Sequence, residues 1–484
     1  MRRFLMAALA AVAWFAWIPA LADCTLPGTP ADGYFDQAWA GHGCISFAAD
    51  NRNAAANSEV DRIDIAANGD LFLGGYALTP GGFTWWIGEL TPSGTFDSNF
   101  GDSDASGRIT GCQMYLPGAC PGEAQVFDFL AQQDNRILVL SPGYLVRTNV
   151  GGHAFDSANV AGGTGHVTPT FNIATPLGTM TADFGGLAPA SGGKTWMGGY
   201  GNVPSTIDNL GGLARLNGDL SLDTGFHAVT VDGETYAGGQ LVDAGADTRE
   251  QQILIQSTGK LVLIGTQNNA YAFHISRLNV DGSLDTTFGT SGSTILATPP
   301  APCNTYYVSI PHRPAAKDSA DRIVLTGECY NTAINTYNTV VVRLTADGAI
   351  DTTFGNSGYY INPVFPACVS NIVVPRAIAI DSAGRILVGG GCDAQFSVQR
   401  LRGDTGALDT TFGIGGLAHG RFDPASGNDE VDAMTFDVGG RLFIGGHALV
   451  SSQLLGGVAR LTYDLIYTND FESAPRGCLP PACN

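Results

Sequence analysis

Apolar residues in this chain recur in short alternating stretches, and almost nowhere with the spacing of a helix. Residues 376–380 and 432–436 alternate small or polar side chains with larger apolar ones. A glycine-containing turn follows each stretch, and a short apolar run ending in glycine comes next, as at 386–390 and 442–446. An apolar period of two predicts β-strands. We therefore predict an all-β protein beyond residue 22.

One nine-residue motif repeats along the chain. Asp-Gly-Ser-Leu-Asp-Thr-Thr-Phe-Gly at 281–289 returns almost unchanged at 347–355 and more loosely at 405–413. Residues 155–159 are a degraded copy that lacks the aromatic residue. The motif aspartates are 58 to 67 residues apart, which predicts seven units of one repeat. The Asp-x-x-aromatic marks are Asp36/Trp39, Asp97/Phe100, Asp223/Phe226, Asp285/Phe288, Asp351/Phe354 and Asp409/Phe412.

Each unit contains four short apolar segments. The third ends in Arg-Leu in five units, at 215–216, 277–278, 343–344, 400–401 and 460–461, and the fourth is the Asp-x-x-aromatic motif itself. One four-stranded sheet cannot bury both of its faces, but seven sheets packed around an axis can. The pattern predicts a seven-bladed β-propeller with four antiparallel strands per blade. An open superhelical β-array is the structural alternative.

The two ends of the repeat region complete each other. Residues 23–47 contain only a last strand, at 34–39, and residues 431–464 contain only the first three. We predict that the N-terminal strand completes the last blade and closes the ring. The propeller is then a single domain over 23–466, followed by a short tail at 467–484 with a cysteine pair.

The motif residues resemble the delta-60 repeat family, a bacterial β-propeller-like repeat with a Leu-Asp-Thr-Thr-Phe-Gly signature. The resemblance covers roughly residues 32–464 and is strongest at 281–289 and 347–355. It implies a secreted or surface-displayed propeller and no established reaction or ligand. The repeated residues look architectural, so the resemblance supplies no catalytic residue.

The N-terminal residues predict where the protein is located, and the net charge indicates which classes of partner are disfavoured. Residues 1–22 have the pattern of a secretory signal peptide, with cleavage predicted after Ala22. This predicts a secreted, periplasmic or cell-surface protein, and no later segment is apolar enough to span a membrane. The formal charge of −20 disfavours nucleic acid and anionic lipid as partners.

Ten cysteines, an even number, suit an oxidising compartment. Cys303 and Cys329 occupy nearly the same two places in their unit as Cys368 and Cys392 occupy in the next, which predicts one disulfide in each. Metal binding is the alternative, but no two cysteines have C-x-x-C spacing. The other predicted pairs are Cys112–Cys120, Cys478–Cys483 and, by elimination, Cys24–Cys44.

Few stretches of the sequence resemble known catalytic or ligand-binding motifs. Gly193-Lys194-Thr195 resembles the end of a phosphate-binding loop but lies in a predicted hairpin, so we interpret Lys194 as a turn residue. The stretch beginning at Asp102 opens like a calcium loop, yet its twelfth position holds Gln113 rather than glutamate. The repeated aspartate, arginine and aromatic residue are predicted to cap turns, form ion pairs and fill the gaps between blades.

One acidic stretch, 428–432, stands out. Its Asp432 aligns with Asp61 of the first unit, and closure would make the two units neighbours. We predict that Asp61 and Asp432 crowd the mouth of the channel, where they either bind a cation such as calcium or form a solvated acidic rim. No other cofactor is predicted.

The sequence favours a non-enzymatic function. Seven similar copies suit a scaffold, whereas catalysis normally needs one asymmetric constellation. We predict an exported, monomeric binding or scaffold module at the cell envelope or outside the cell, with an unknown protein or glycan ligand. The alternative is an extracellular hydrolase or lyase with its site at the channel mouth.

Overall fold

The computed structural model describes residues 35–463, apart from 50–56, 67, 80–81, 102–105, 112–127, 133, 142–143, 168–172, 176–177, 203–208, 232–233, 238, 243–247, 268–271, 308–312, 334–335, 362–373, 393 and 424. The described chain consists mainly of short strands grouped into seven antiparallel sheets, the blades of a ring. This confirms the predicted seven-bladed β-propeller.

The N-terminal strand and the first three blades come first in the chain. The N-terminal strand is β1 (Cys44–Phe47). Blade one contains β2 (Asn57–Ser58), β3 (Arg62–Ile65), β4 (Leu71–Thr79), β5 (Gly82–Leu90) and β6 (Arg108–Thr110). Blade two contains β7 (Asp128–Ala131), β8 (Ile137–Ser141), β9 (Tyr144–Arg147) and β10 (His166–Val167). Blade three contains β11 (Ile173–Thr175), β12 (Gly178–Ala190), β13 (Lys194–Asn202), β14 (Asn209–Leu216) and β17 (Gly239–Val242), with a separate hairpin of β15 (Ala228–Val231) and β16 (Glu234–Ala237). Short 3₁₀ turns lie at Ala161–Gly163 and Ser191–Gly193.

The remaining four blades follow the same order. Blade four contains β18 (Thr248–Ile255), β19 (Leu261–Gln267), β20 (Ala272–Leu278) and β21 (Ser293–Leu296). Blade five contains β22 (Thr305–Tyr307), β23 (Ala315–Lys317), β24 (Ile323–Asn331), β25 (Thr336–Leu344) and β26 (Tyr359–Ile361). Blade six contains β27 (Val374–Ile380), β28 (Ile386–Cys392), β29 (Gln395–Leu401) and β30 (Leu417–Gly420). Blade seven contains β31 (Ser426–Phe436), β32 (Leu442–Val450) and β33 (Gln453–Leu461), completed by β1.

The ring closes as predicted. Strand β1 pairs antiparallel with β33, with Cys44 opposite Ala459 and Phe47 opposite Gly456. A further bridge joins Phe35 to Leu461. The first strands of neighbouring blades contact one another and line the axis, so the N-terminal strand lies at the outer edge of blade seven.

The hydrophobic core is divided among the joints between blades. Seven clusters of buried side chains each combine residues from two adjacent blades. Trp39 and Phe47, carried by the N-terminal segment, are buried beside Phe443 of blade seven and Trp86 of blade one. Ring closure therefore buries apolar surface between blades seven and one, in addition to pairing the backbones of β1 and β33.

The predicted position of the fourth strand is wrong. The Asp-x-x-aromatic motif is a turn with a single bridge residue, for example Leu284 opposite Leu278, and the fourth strand follows it. The Asp285 carboxylate accepts hydrogen bonds from the Thr287 backbone (3.2 Å) and hydroxyl (2.6 Å), and the Phe288 N–H bonds back to the Asp285 carbonyl. A side chain that closes a local turn competes with extended pairing. For the same reason 34–39 is not the closing strand.

The predicted pairing of the repeated arginine with the repeated aspartate is observed. In blade four the Arg277 Nε donates to the Asp285 carboxylate at 2.7 Å, and the guanidinium lies over the Phe288 ring. The degraded copy keeps this bond, between Arg147 and Asp156. The other pairs are Arg215–Asp223, Arg343–Asp351, Arg400–Asp409 and, across the closure, Arg460–Asp36.

The motif aromatic also fills the gap between blades, as predicted. Phe288 of blade four packs against Gly348 in a turn of blade five, where an added Cβ would lie 2.6 Å from the ring. Phe354 packs on Gly406, and Trp39 on Gly94, in the same way. The Gly289 N–H donates to the Asp347 carbonyl at 2.8 Å and locks the same joint.

The structure contains the disulfide Cys303–Cys329, within blade five. Cys44 and Cys392 are also disulfide-bonded. Their predicted partners Cys24 and Cys368 lie outside the described residues, as do Cys112, Cys120, Cys478, Cys483, the signal peptide and the tail. Lys194 lies directly after the turn Ser191–Gly193, as the first residue of β13 rather than within the turn, and pairs with Asp223 at 2.7 Å.

Candidate functional site

The two ends of the ring differ in their connections. At one end, here called the strand-start face, the innermost strands begin and long connections arrive from the preceding blade. Seventeen residues separate Thr110, the end of β6, from Asp128, the start of β7, and twelve residues separate Ile361 from Val374. The other end, the motif face, carries the repeated Asp-x-x-aromatic turns. Variable loops on a rigid scaffold usually carry function, which directs attention to the strand-start face.

Asp61 and Asp432 occupy equivalent positions on the strand-start face, at the seam between blades one and seven. Arg62, which follows Asp61, pairs with Gly74, and Ala433, which follows Asp432, pairs with Gly445. Each of these glycines is the first of a Gly-Gly pair in the second strand of its blade. Asp61 precedes β3, whereas Asp432 lies inside β31 at a β-bulge. Both carboxylates are buried.

The neighbouring residues extend this equivalence. Glu59-Val60-Asp61 of blade one matches Glu430-Val431-Asp432 of blade seven, and in the second strands Tyr76 matches His447. The structure therefore places two copies of a Glu-Val-Asp segment side by side, with different partners from strand two. One copy has a phenol and the other an imidazole.

Four of these side chains converge across the seam. The His447 Nδ1 lies 3.0 Å from an Asp432 carboxylate oxygen and 4.0 Å from the Glu59 Oε1. The Tyr76 hydroxyl donates to the Glu59 Oε1 at 2.6 Å. We call Glu59, Asp432 and His447 the seam triad; one ligand atom of each lies within 4.8 Å of the others.

Arg376 of blade six borders the seam triad on one side. Its Nε lies 2.5 Å from the Glu430 carboxylate and 3.5 Å from that of Asp432. Arg376 occupies the bulge position of its own strand, as Asp432 does in blade seven. The bulge therefore directs Arg376 and Asp432, which have opposite charges and belong to adjacent blades, toward the same part of the channel mouth.

Burial and mutual repulsion shift the titration of this cluster. Burial, together with the charges of Asp432 and Glu59, raises the pKa of Asp61 to about 8. Burial also raises the pKa of Glu59. Burial alone would lower the pKa of His447, but its hydrogen bond and ion pair with Asp432 raise that pKa to about 9.

A second set of charges crosses the channel. Arg313 of blade five reaches the Asp128 carboxylate of blade two at 2.8 Å, and Arg62 of blade one reaches the same oxygen at 3.1 Å. The other Asp128 oxygen accepts the Leu187 N–H of blade three at 2.9 Å. One carboxylate thus ties four blades together, and Arg313 spans the axis.

Blade one also carries an acidic cluster on the motif face. Glu89 stands where blade four has Arg277, and Asp70 stands where it has Lys260, while Asp97 matches the motif aspartate. Two cations found in blade four are therefore replaced by two acids, and the three carboxylates lie within 4.8 Å of one another. Burial and the charges of Asp70 and Asp97 raise the pKa of Glu89 to about 7.

A cleft of about 1070 Å³ opens on the motif face between blades two and three, lined in part by Arg136 and Lys194. Both cations already pair with motif aspartates, Arg136 with Asp156 at 3.3 Å and Lys194 with Asp223. The repeat's architectural residues thus form much of this wall, and we place the candidate functional site at the seam instead.

The sequence predicted Asp61 and Asp432 but missed Glu59, Tyr76 and His447. The recurrence of Glu-Val-Asp at 59–61 and 430–432 was the available signal for Glu59. Tyr76 and His447 each follow a Gly-Gly pair that ends an apolar run, at 74–75 and 445–446. Arg313 had no comparable signal, because its role depends on which blades face each other across the axis. Half of the calcium-like stretch at 102–113, namely 102–105 and 112–113, lies outside the described residues.

Comparison with known families bears on the repeat. A family model described as "Domain of unknown function (DUF5122) beta-propeller" matches residues 256–288 and 321–354. The match supports a β-propeller repeat family. The two matched segments run from the first turn of a unit to its motif aromatic, in blades four and five. No curated protein sequence matches this chain.

Several solved structures align with most of this chain at low identity and with low TM-scores. A polysaccharide lyase, Uly1, is 8% identical over 84% of this chain and 90% of its own, with a TM-score of 0.45. The Dos1 propeller is 8% identical over 86% and 95%, at 0.42. YCF48 bound to D1 peptide is 10% identical over 92% and 99%, at 0.43. At these values the likeness identifies neither ligand nor reaction.

Within the described part of the chain, no helix has the length and apolar character needed to cross a membrane.

Proposed function

We propose that this protein is an exported, monomeric β-propeller that binds a glycan of the cell envelope or its surroundings at the strand-start face. Export is supported by the signal-peptide pattern of residues 1–22 and by the disulfide Cys303–Cys329. The specific name delta-60 repeat remains part of this proposal, since the motif residues carry it.

The observation that carries the binding proposal is the asymmetry of the channel mouth. At the bulge position, blade three has Gly185, blade four Gln251, blade six Arg376 and blade seven Asp432. On the motif face, by contrast, the Arg–Asp pair recurs from blade to blade. A position that holds glycine, glutamine, arginine or aspartate in different blades is suited to recognition, whereas a position that keeps the same ion pair is suited to building the ring.

Carboxylates, guanidinium groups and a phenol are the side chains that pair with sugar hydroxyl and carboxyl groups. Arg376 keeps 29% of its side chain exposed, so a ligand can reach it. The seam on the strand-start face thus offers hydrogen-bond donors and acceptors close to one another. A peptide is the competing ligand class, and the experiment below separates the two.

Glycan and peptide arrays probed with the purified protein test this proposal. We expect binding to a restricted set of glycans, weakened at least tenfold in Arg376→Gln. The matched control, Arg402→Gln, changes an exposed arginine on the motif face and should bind like the wild type. Binding to peptides alone, or equal loss in both variants, would contradict the proposal.

The second candidate function is a glycan hydrolase or lyase that uses the same site. The observation that favours it is a pair of buried carboxyl groups, Asp61 and Asp432, at equivalent positions of the adjacent blades one and seven. A panel of extracellular polysaccharides, assayed for reducing ends and for unsaturated products, tests it. Turnover that disappears in Asp61→Asn would support the enzyme, and turnover unchanged by that substitution would exclude this site.

A further inference from the structure

The seam triad has the donor set of a metal site. Glu59 and Asp432 offer carboxylate oxygens and His447 offers an imidazole nitrogen, all within 4.8 Å. Two ligand atoms bound to one tetrahedral zinc lie about 3.4 Å apart, because each metal–ligand bond is roughly 2.0–2.2 Å. The observed separations of 3.0 Å and 4.0 Å from the His447 Nδ1 bracket that value. Small side-chain rotations would therefore bring the three atoms around one ion.

We propose that the seam triad, Glu59, Asp432 and His447, binds a divalent transition metal of the zinc or manganese class and thereby joins the first blade to the last. Imidazole with carboxylate suits zinc, manganese and iron, whereas calcium and magnesium prefer oxygen ligands alone. This refines the sequence-based expectation of a calcium site at Asp61 and Asp432.

The surroundings of the triad are those of an oriented metal site. The Tyr76 hydroxyl holds Glu59 through a 2.6 Å hydrogen bond, and Arg376 lies 3.5 Å from Asp432 on the side away from His447. Outer groups that orient ligands in this way commonly affect metal affinity 10- to 100-fold. A lone acidic patch would lack both the imidazole and these orienting groups.

The position of the triad gives the metal a structural consequence. Glu59 comes from the start of the ring, and Asp432 and His447 come from its end. A metal that binds all three would be a second closure beside the pairing of β1 with β33. Because such a metal binds the folded ring and not the unfolded chain, it would raise the melting temperature. This inference does not require that the protein bind a glycan.

The test uses the full mature chain, with any affinity tag removed and after treatment with a chelator. Calorimetric titrations with Zn²⁺, Mn²⁺ and Ca²⁺ should show one site that prefers Zn²⁺ or Mn²⁺ to Ca²⁺, and the same ions should raise the melting temperature. His447→Ala should abolish the site. Tyr76→Phe should keep it and weaken the affinity about tenfold.

Two further variants make the result decisive. Glu59→Gln preserves side-chain shape and should also abolish binding, so the proposal remains testable if His447→Ala fails to fold. His419→Ala, which removes a histidine from blade six, is the control and should bind like the wild type. No zinc or manganese binding by the wild type, a preference for Ca²⁺, or unchanged affinity in Glu59→Gln would each overturn the proposal.

Discussion

Asp36 and Arg460 lie 424 positions apart in the sequence and form a two-point ion pair in the structure. The Arg460 Nε donates to the Asp36 Oδ2 at 2.8 Å, and the Arg460 Nη2 lies 2.7 Å from the same oxygen. The Asp36 N–H also bonds to the Arg460 carbonyl. The same contact is local in the other blades: Arg277 and Asp285 are eight residues apart. The N-terminus thus supplies both the motif aspartate and the fourth strand that blade seven lacks.

The joint between blades four and five depends on a glycine. Gly348→Ala should lower the free energy of unfolding by about 2–4 kcal/mol, because the new methyl group meets the Phe288 ring and Gly348 has a φ of +84°. Gly384→Ala is the matched control. That glycine has a φ of +78° but open space around it, so only the backbone term of about 1 kcal/mol should appear. Urea unfolding of both variants measures the difference, and equal losses would show that Phe288 is not tightly packed there.

The disulfide within blade five should stabilise the protein by restricting the unfolded chain. Cys303 and Cys329 are 26 positions apart, and a loop of that length corresponds to about 3.5 kcal/mol in the chain-entropy model. The double variant Cys303→Ser/Cys329→Ser should lose roughly that amount in denaturant unfolding. The double variant is the appropriate comparison, since a single substitution leaves a reactive thiol. An unchanged unfolding midpoint would mean that the bond does not form in the purified protein.

Much of the fold was predictable because the repeat reports it several times over. Alternating apolar segments, glycine turns and a recurring motif gave the all-β class, seven units and closure at the ends. The fourth strand was misplaced because Leu284, Thr286 and Phe288 alternate as a strand would. The sign that this segment is a turn and not a strand is the Asp285 side chain, which accepts a hydrogen bond from the Thr287 hydroxyl.

The candidate site was predictable only in part. Alignment by repeat brought Asp61 and Asp432 together, because both belong to the same position of adjacent blades. Tyr76 and His447 enter the site through a different strand, so an acidic stretch alone does not indicate them. Arg313 reaches Asp128 across the axis from blade five to blade two, and no feature of a single repeat encodes that distance.

Stability should fall between mildly acidic and neutral pH because of Glu89. Its folded pKa of about 7 lies above the ordinary value of 4.5. The folded state therefore holds a proton that the unfolded state releases as the pH rises from about 4.5, so unfolding becomes easier until about pH 7 and then levels off for this group. Glu89→Gln should flatten the profile of melting temperature over that interval. A parallel profile for the variant and the wild type would contradict the assignment.

Replacing Glu89 by arginine, the residue at the equivalent position of the other six blades, should stabilise blade one. Glu89→Arg restores the partner that Arg277 provides for Asp285, and removes repulsion among Asp70, Glu89 and Asp97. A charged hydrogen bond of this kind contributes about 1–3 kcal/mol, so the melting temperature should rise. Glu89→Gln is the control that removes charge without adding a donor, and it should give a smaller gain. A fall in melting temperature for Glu89→Arg would show that blade one does not tolerate the arrangement of the other blades.

A double-mutant cycle on Asp36 and Arg460 tests closure most directly. The single variants Asp36→Asn and Arg460→Gln and the double variant are compared with the wild type by urea unfolding at one pH and salt concentration. Residues in contact show coupling energies of about 0.5–3 kcal/mol, and residues far apart show almost none. A ring closed by its N-terminus predicts a coupling of about 1–3 kcal/mol for this pair. Additive effects, with a coupling below about 0.5 kcal/mol, would contradict it.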